Sequence, residues 1–160
     1  MFWYNKSNHV KTIYWLEVAM SVHFSVDGIK FVLGEKLQVK KWVNEVVRRA
    51  GKAVGEINYR FCSDDDILGV NISYLNHDTY TDIITFDYVE GDVVSGDILI
   101  SIDRVRDNAQ KYAVTFEQEL HRVMIHGVLH LLGNGDKSEK EAAKMRQLEN
   151  AALKIWDGIK

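Results

Sequence analysis

Apolar and polar residues alternate from Val22 through Phe24 to Val26, and again from Ile29 through Phe31 to Leu33, with Asp27-Gly28 between the runs. Period-two alternation predicts strands, and Asp-Gly between two such runs predicts a hairpin. The period then lengthens. Val39, Trp42, Val43, Val46, Val47 and Ala50 recur at helical spacing and stop at Gly51, which predicts an amphipathic helix with one buried stripe. Ile57, Tyr59 and Phe61 return to alternation. Ser63 followed by three aspartates predicts a helix start, because a hydroxyl cap and early carboxylates suit the positive helix end; Leu68, Ile72 and Leu75 are its expected apolar side.

Two further strands are expected over Thr81 to Val89 and Ser95 to Ile102, joined through Gly91-Asp92, and a short helix from Asp103. Thr115-x-x-Gln118 and Ser138-x-x-Glu141 both have the form of a capping box, so each predicts a helix. In the last helix Ala142, Met145, Leu148 and Ala152 form the expected buried stripe. Strands and helices in this irregular order predict one α+β domain with a mixed sheet of four or five strands packed by helices. The recognisable pattern covers residues 20–160. Residues 1–19 are aromatic without a clear period, and are expected to be a dispensable N-terminal extension.

At 160 residues and 46% hydrophobic content the chain suffices for one core, and the absence of proline and of Gly/Ser-rich stretches leaves no evident linker. No apolar run approaches the length of a membrane span, and no secretory signal is evident, so a cytoplasmic protein without a membrane partner is expected. Cys62 is the single cysteine, which excludes an internal disulfide and a cysteine-based zinc site. The net charge of -3 argues against nucleic-acid binding through global charge. Lysines and arginines between Lys36 and Lys52, and at Arg104, Arg106 and Lys111, predict solvated faces or local phosphate contacts.

The chemistry is concentrated in His126-x-x-x-His130-x-x-Gly133-x-x-Asp136. On a helix, residues four apart share a face, so both imidazoles aim at one point. Gly133 ends the helix, because glycine accepts positive φ, and the chain then brings Asp136 back as a third ligand. Two imidazoles and a carboxylate suit one Zn²⁺ ion, other divalent metals being possible, with a fourth position left for water. This pattern predicts a zincin-like helix and a metal-dependent hydrolase.

The run His126-Gly127-x-Leu129-His130-Leu131-x-Gly133 resembles the signature of the YbeY family of bacterial endoribonucleases. The likeness extends to Thr81-Asp82-Ile-Ile-Thr85-Phe86, to Gly96-Asp97-Ile98, and to Met145 and Glu149. It implies a zinc-dependent endoribonuclease specific for single-stranded RNA, acting in 16S rRNA 3′-end maturation and ribosome quality control. Its implied partners are rRNA and the small ribosomal subunit, with no DNA. His126 and His130 match the family's ligands. Asp136 stands where the family has a third histidine, which makes the site harder and Mn²⁺ a less remote occupant.

The family's catalytic arginine aligns with Leu75, which cannot stabilise phosphoryl charge. Arg122, one turn before His126, is the candidate replacement; the plainer expectation is an ion pair with Glu119 or a contact with Gln118. Thr81, Asp82 and Thr85 are expected to orient ligands, touch RNA or make structural hydrogen bonds, and Asp97 to be structural. His9, His23, His77 and His121 are expected to be surface or packing residues. Two other functions remain open. One is a ribosome-associated module that keeps a metal for stability with weak catalysis. The other is a zinc protease, against which Gly127 stands where such enzymes carry a glutamate base.

Overall fold

The computed structural model describes residues 21–75 and 79–159. The expected extension at 1–19, His9 and His77 lie outside the described residues, as does the Leu75 side chain. Four strands and five helices are described: β1 (Val22–Val26), α1 (Lys36–Arg49), β2 (Ala53–Cys62), α2 (Asp64–Leu75), β3 (Ile83–Asp87), β4 (Val93–Ser101), α3 (Ile102–Lys111), α4 (Phe116–Leu131) and α5 (Glu139–Ile159). The strands form one mixed sheet in the order β1-β2-β4-β3. β1 and β4 run parallel to β2, and β3 is an antiparallel edge beside β4. The expected α+β domain is therefore present, with four strands.

The hairpin expected across Asp27-Gly28 does not form. Gly28 does turn the chain at φ 66°, but β1 pairs with β2 in parallel, Val22 opposite Ile57. Residues 29–33 form no strand. Ile29, Phe31 and Leu33 turn toward the core instead, with the Phe31 ring 5.0 Å from that of Phe61 and Leu33 buried, while Val32 stays exposed. Alternation thus marked one buried side without choosing the pairing partner.

One sheet face carries α1, α4 and α5 over the larger core, which includes Trp42, Tyr59, Ile98, Met124, Val128 and Trp156. α1 and α5 are tied together where the Trp42 indole N–H donates to the Ala152 carbonyl at 2.7 Å. His121 packs edge-on to Trp42 and beside Trp156, as expected of a packing residue. The other face carries α2 over Cys62, Ile67, Ile84 and Leu99. Here the expected stripe is corrected: Ile67 and Asn71 are buried, whereas Ile72 is exposed. α2 has apolar residues on most sides, so its docking on the sheet, not its period, selects the buried face. On α5 the buried stripe is Met145, Glu149, Ala152 and Trp156, with Ala142 exposed.

α4 lies close to the sheet because two glycines leave room. A β-carbon on Gly127 would sit 2.8 Å from Ile98 Cγ2 and 2.9 Å from Ile83 Cδ1. One on Gly96 would sit 2.7 Å from a Leu131 methyl. Gly127→Ala should therefore push α4 off the sheet at a cost of about 1–3 kcal/mol, despite alanine's better helix propensity. Chemical denaturation checks this, and an unchanged or raised midpoint contradicts it.

Candidate metal centre

α4 is set at both ends by local sequence. At its start Thr115 Oγ accepts from Gln118 N–H and Gln118 Oε1 accepts from Thr115 N–H, the reciprocal box expected from the sequence. At its end Gly133 adopts φ 86°. The Gly133 N–H then reaches the His130 carbonyl at 2.8 Å and the Asn134 N–H the Leu129 carbonyl at 3.1 Å, a Schellman arrangement. Asn134 adds a side-chain bond from Nδ2 to that same Leu129 carbonyl. This locked turn carries the chain back to Asp136.

Three ligand atoms converge as a result. His126 Nε2 and His130 Nε2 are 2.9 Å apart, and Asp136 Oδ2 is 3.4 Å from the first and 3.5 Å from the second. Ligand bonds of about 2.0–2.2 Å in a tetrahedral shell separate neighbouring donor atoms by roughly 3.3–3.5 Å, so both carboxylate separations match a zinc-sized ion, and the two imidazole nitrogens would part by a few tenths of an ångström to hold one. Among the described residues this is the one group of three or more His, Cys, Asp or Glu with converging ligand atoms.

The tautomers sharpen the case. His130 Nδ1 lies 2.9 Å from the Asn134 carbonyl, an oxygen that only accepts, so Nδ1 carries the proton. His126 Nδ1 lies 2.8 Å from Glu149 Oε1, a carboxylate that fixes its proton likewise. With a proton held at each Nδ1, the two Nε2 atoms are left facing each other and a carboxylate oxygen. Such a cluster is repulsive unless a cation or an extra proton sits among the three. Anchored Nδ1–H groups are also the usual support of metal-bound histidines.

Glu149 is the functional residue that stripe analysis passed over. Its side chain is 6% exposed, and its second oxygen accepts from Arg122 at 2.8 Å and lies 3.2 Å from Arg146. The available signal was a charged residue on the apolar face of α5. Burial raises the Glu149 pKa, but His126, Arg122 and Arg146 outweigh it and hold the carboxyl below its ordinary 4.5. Burial likewise opposes charge on His126, and Glu149 and the carboxylates of Asp136 and Asp82 outweigh it, so the imidazole sits above 6.5.

These shifts fix a sign. The raised His126 value adds stability fully present below pH 6.5 and lost as pH rises through it; the lowered Glu149 value adds stability present above pH 4.5 and lost as pH falls through it. Protein held in chelator should therefore melt highest between pH 4.5 and 6.5. Added zinc should move that maximum upward, because ligation needs neutral imidazoles. A melting temperature rising steadily from pH 5 to 8 without metal would overturn this assignment.

Arg122 reaches Glu149 and also Asn150 Oδ1 at 3.0 Å, rather than Glu119 or Gln118. Through Glu149 it is linked to the Nδ1 side of His126, opposite the Nε2 atoms. Thr85, His130 and Asp136 line a cleft of about 680 Å³ along β3 that continues past Thr81 and Thr79 to Asn71. Lys137 is its only cationic lining residue among those described. Thr81 Oγ donates to the Ile83 carbonyl, and Asp82 accepts from Asn108. Asp97 is held by Asn58 and Tyr88, and His23 is exposed on β1. Cys62 donates to the Ile100 carbonyl, and burial pushes its thiol up to about 11, which suits a packed residue. Gly127 faces Ile98 and Ile83, so no glutamate base fits at that position.

The family profile described as Endoribonuclease YbeY matches residues 29–157. An Endoribonuclease YbeY of Phocaeicola vulgatus is 51% identical over 134 residues, 84% of this chain and 97% of the relative. One of Porphyromonas gingivalis is 52% identical over 132 residues, 82% of this chain and 87% of the relative. The solution structure of TM1509 from Thermotoga maritima aligns with a TM-score of 0.59 at 30% identity, covering 86% of this chain and 92% of that one.

Proposed function

Since this chain belongs to the YbeY family of endoribonucleases, we propose that it is a zinc-dependent endoribonuclease acting on single-stranded RNA, in 16S rRNA 3′-end maturation and ribosome quality control. The observation that carries this reading is the convergence of the two Nε2 atoms and the Asp136 carboxylate beside the β3 cleft. His126, His130 and Asp136 are the residues that would hold the ion. When bound, it supplies positive charge against phosphoryl oxygens as negative charge develops there.

The chain's own residues do the rest. Glu149 and Asn134 hold the two imidazoles in the ligating tautomer. Arg122 keeps Glu149 charged and in place, and we assign it this positioning role rather than direct contact with phosphate. Hydroxyls of Thr79 and Thr85 and the Lys137 ammonium offer donors along the cleft for a sugar-phosphate strand. No described helix is long and apolar enough to cross a membrane, and the proposed setting is the cytoplasm, with the small ribosomal subunit as partner.

Cleavage of a single-stranded 16S rRNA 3′-end fragment and its duplex, before and after chelation and with zinc or manganese restored, tests the proposal. Metal-dependent cutting of the single strand supports it; equal cutting of the duplex, or cutting that survives chelation, overturns it. A ribosome-bound module with weak catalysis is the second reading, favoured by a cleft without an arginine among its described lining residues.

A further inference from the structure

On the Nδ1 side of His126 lies a second, smaller pocket of about 130 Å³, between α3, α4, α5 and the start of β3. Ile83 borders both this pocket and the β3 cleft. A strand whose phosphate sits at the three ligand atoms therefore has a flanking nucleotide within reach of the pocket. Its walls include Ile83, Val123 and the Tyr112 ring, and its charged lining includes Arg122, Arg146 and Glu119.

Glu119 is the unexplained group. It is only 5% exposed, yet among the described residues its carboxylate accepts no hydrogen bond. Burial raises its pKa, with Asp82 and Glu149 adding to the shift and Arg122 and Arg146 opposing it. Its oxygens are not among the buried polar atoms left without a partner, so they meet solvent in the pocket and stand open to a donor from a ligand. The donor is not a metal ion, because Glu119, Asp82 and Glu149 do not bring ligand atoms together as the histidine site does. Apolar walls around an acceptor suit a planar ring with donors on its edge.

We propose that this pocket takes a guanine base of the RNA strand, with Glu119 accepting from its N1–H and exocyclic N2 amino group; this rests on the nuclease reading above. Among the four bases guanine alone offers two adjacent donors on its Watson–Crick edge, which match the two oxygens of one carboxylate. Adenine and cytosine place a ring acceptor beside their amino group, and uracil flanks its one N–H with carbonyls, so each turns an acceptor toward Glu119. The rim arginines supply donors to the guanine O6 and N7, a pairing that guanidinium groups make with this base.

The test uses short single-stranded RNAs that differ in one base next to the scissile phosphate, on each side in turn: guanine, hypoxanthine or adenine. Hypoxanthine lacks only the N2 amino group. Binding to the full chain in chelator is read by fluorescence anisotropy, and cleavage by the metal-loaded protein as kcat/KM. Guanine should be preferred over hypoxanthine by about tenfold in both, and the ratio should fall below about threefold in Glu119→Gln. Equal binding and cleavage of guanine and hypoxanthine RNAs by the wild-type chain, which needs no variant to fold, overturns the pocket. So does a preference that persists undiminished in Glu119→Gln. Cleavage without base preference removes the pocket and leaves the nuclease; base preference in binding without cleavage under any metal does the reverse. Tight binding of an arginine-rich peptide in place of RNA would make the occupant a protein side chain and also overturn the proposal.

Discussion

His130→Ala protein should fold, lose its divalent ion, and cleave single-stranded RNA at least about a hundredfold more slowly, the upper end of what loss of a ligand's outer partner alone costs. Folding should survive because the core neighbours of this residue, Val128, Leu129 and Leu131, are untouched, while His130 itself is 29% exposed at its side chain. Among the described residues the one hydrogen bond its side chain makes outside the ligand cluster is to the Asn134 carbonyl, and the Gly133 and Asn134 backbone bonds hold that turn without it. The stability cost should therefore be about 1 kcal/mol, partly offset by alanine's helix propensity. Elemental analysis, a melt and a cleavage assay on one preparation check all three statements. A variant that unfolds would make the ion a structural staple, and one that cleaves normally would remove the centre from the mechanism.

Removing Glu149 should have the second large effect, through stability and metal affinity together. Glu149→Ala leaves Arg122 without its main acceptor and His126 Nδ1–H without any, both in a partly buried setting. Deleting one partner of such a network costs about 3 kcal/mol. Without its anchor the His126 ring loses its fixed tautomer, so zinc affinity should fall between about 10- and 100-fold. Glu149→Gln separates the two effects: its amide oxygen still accepts from Nδ1, so it should retain more affinity than alanine, while losing the charge that holds Arg122. Zinc competition against a chelating dye, with denaturation in parallel, measures both. Equal affinity in wild type and Glu149→Ala would show that His126 needs no anchor.

Much of this was legible along the chain. The capping pair Thr115/Gln118, the glycine stop at Gly133 and the spacing of His126, His130 and Asp136 are local features, set by hydrogen bonds and φ preferences within a few residues. The α+β character followed from periods of two and 3.6. What eluded the sequence involves contacts between distant segments. The run 29–33 alternates like a strand but packs beside Phe61, because hydrophobic burial is non-directional and does not name a hydrogen-bonding partner. α2 has apolar residues on several sides, so only the sheet beneath it selected Ile67 and Asn71 over Ile72.

The site divides along the same line. Sequence by itself determined which three side chains share a helix face and its following turn, since a helical repeat and a glycine cap act over one or two turns. Tertiary structure decided what stands behind them: that α5 crosses α4 so that Glu149 meets His126 across 23 positions of chain, that Arg122 turns toward that carboxylate, and that Glu119 is buried facing a pocket. The reason is physical. Local hydrogen bonding is written in neighbouring residues, whereas burial of a charge and the choice of its partner depend on which helices the core brings together.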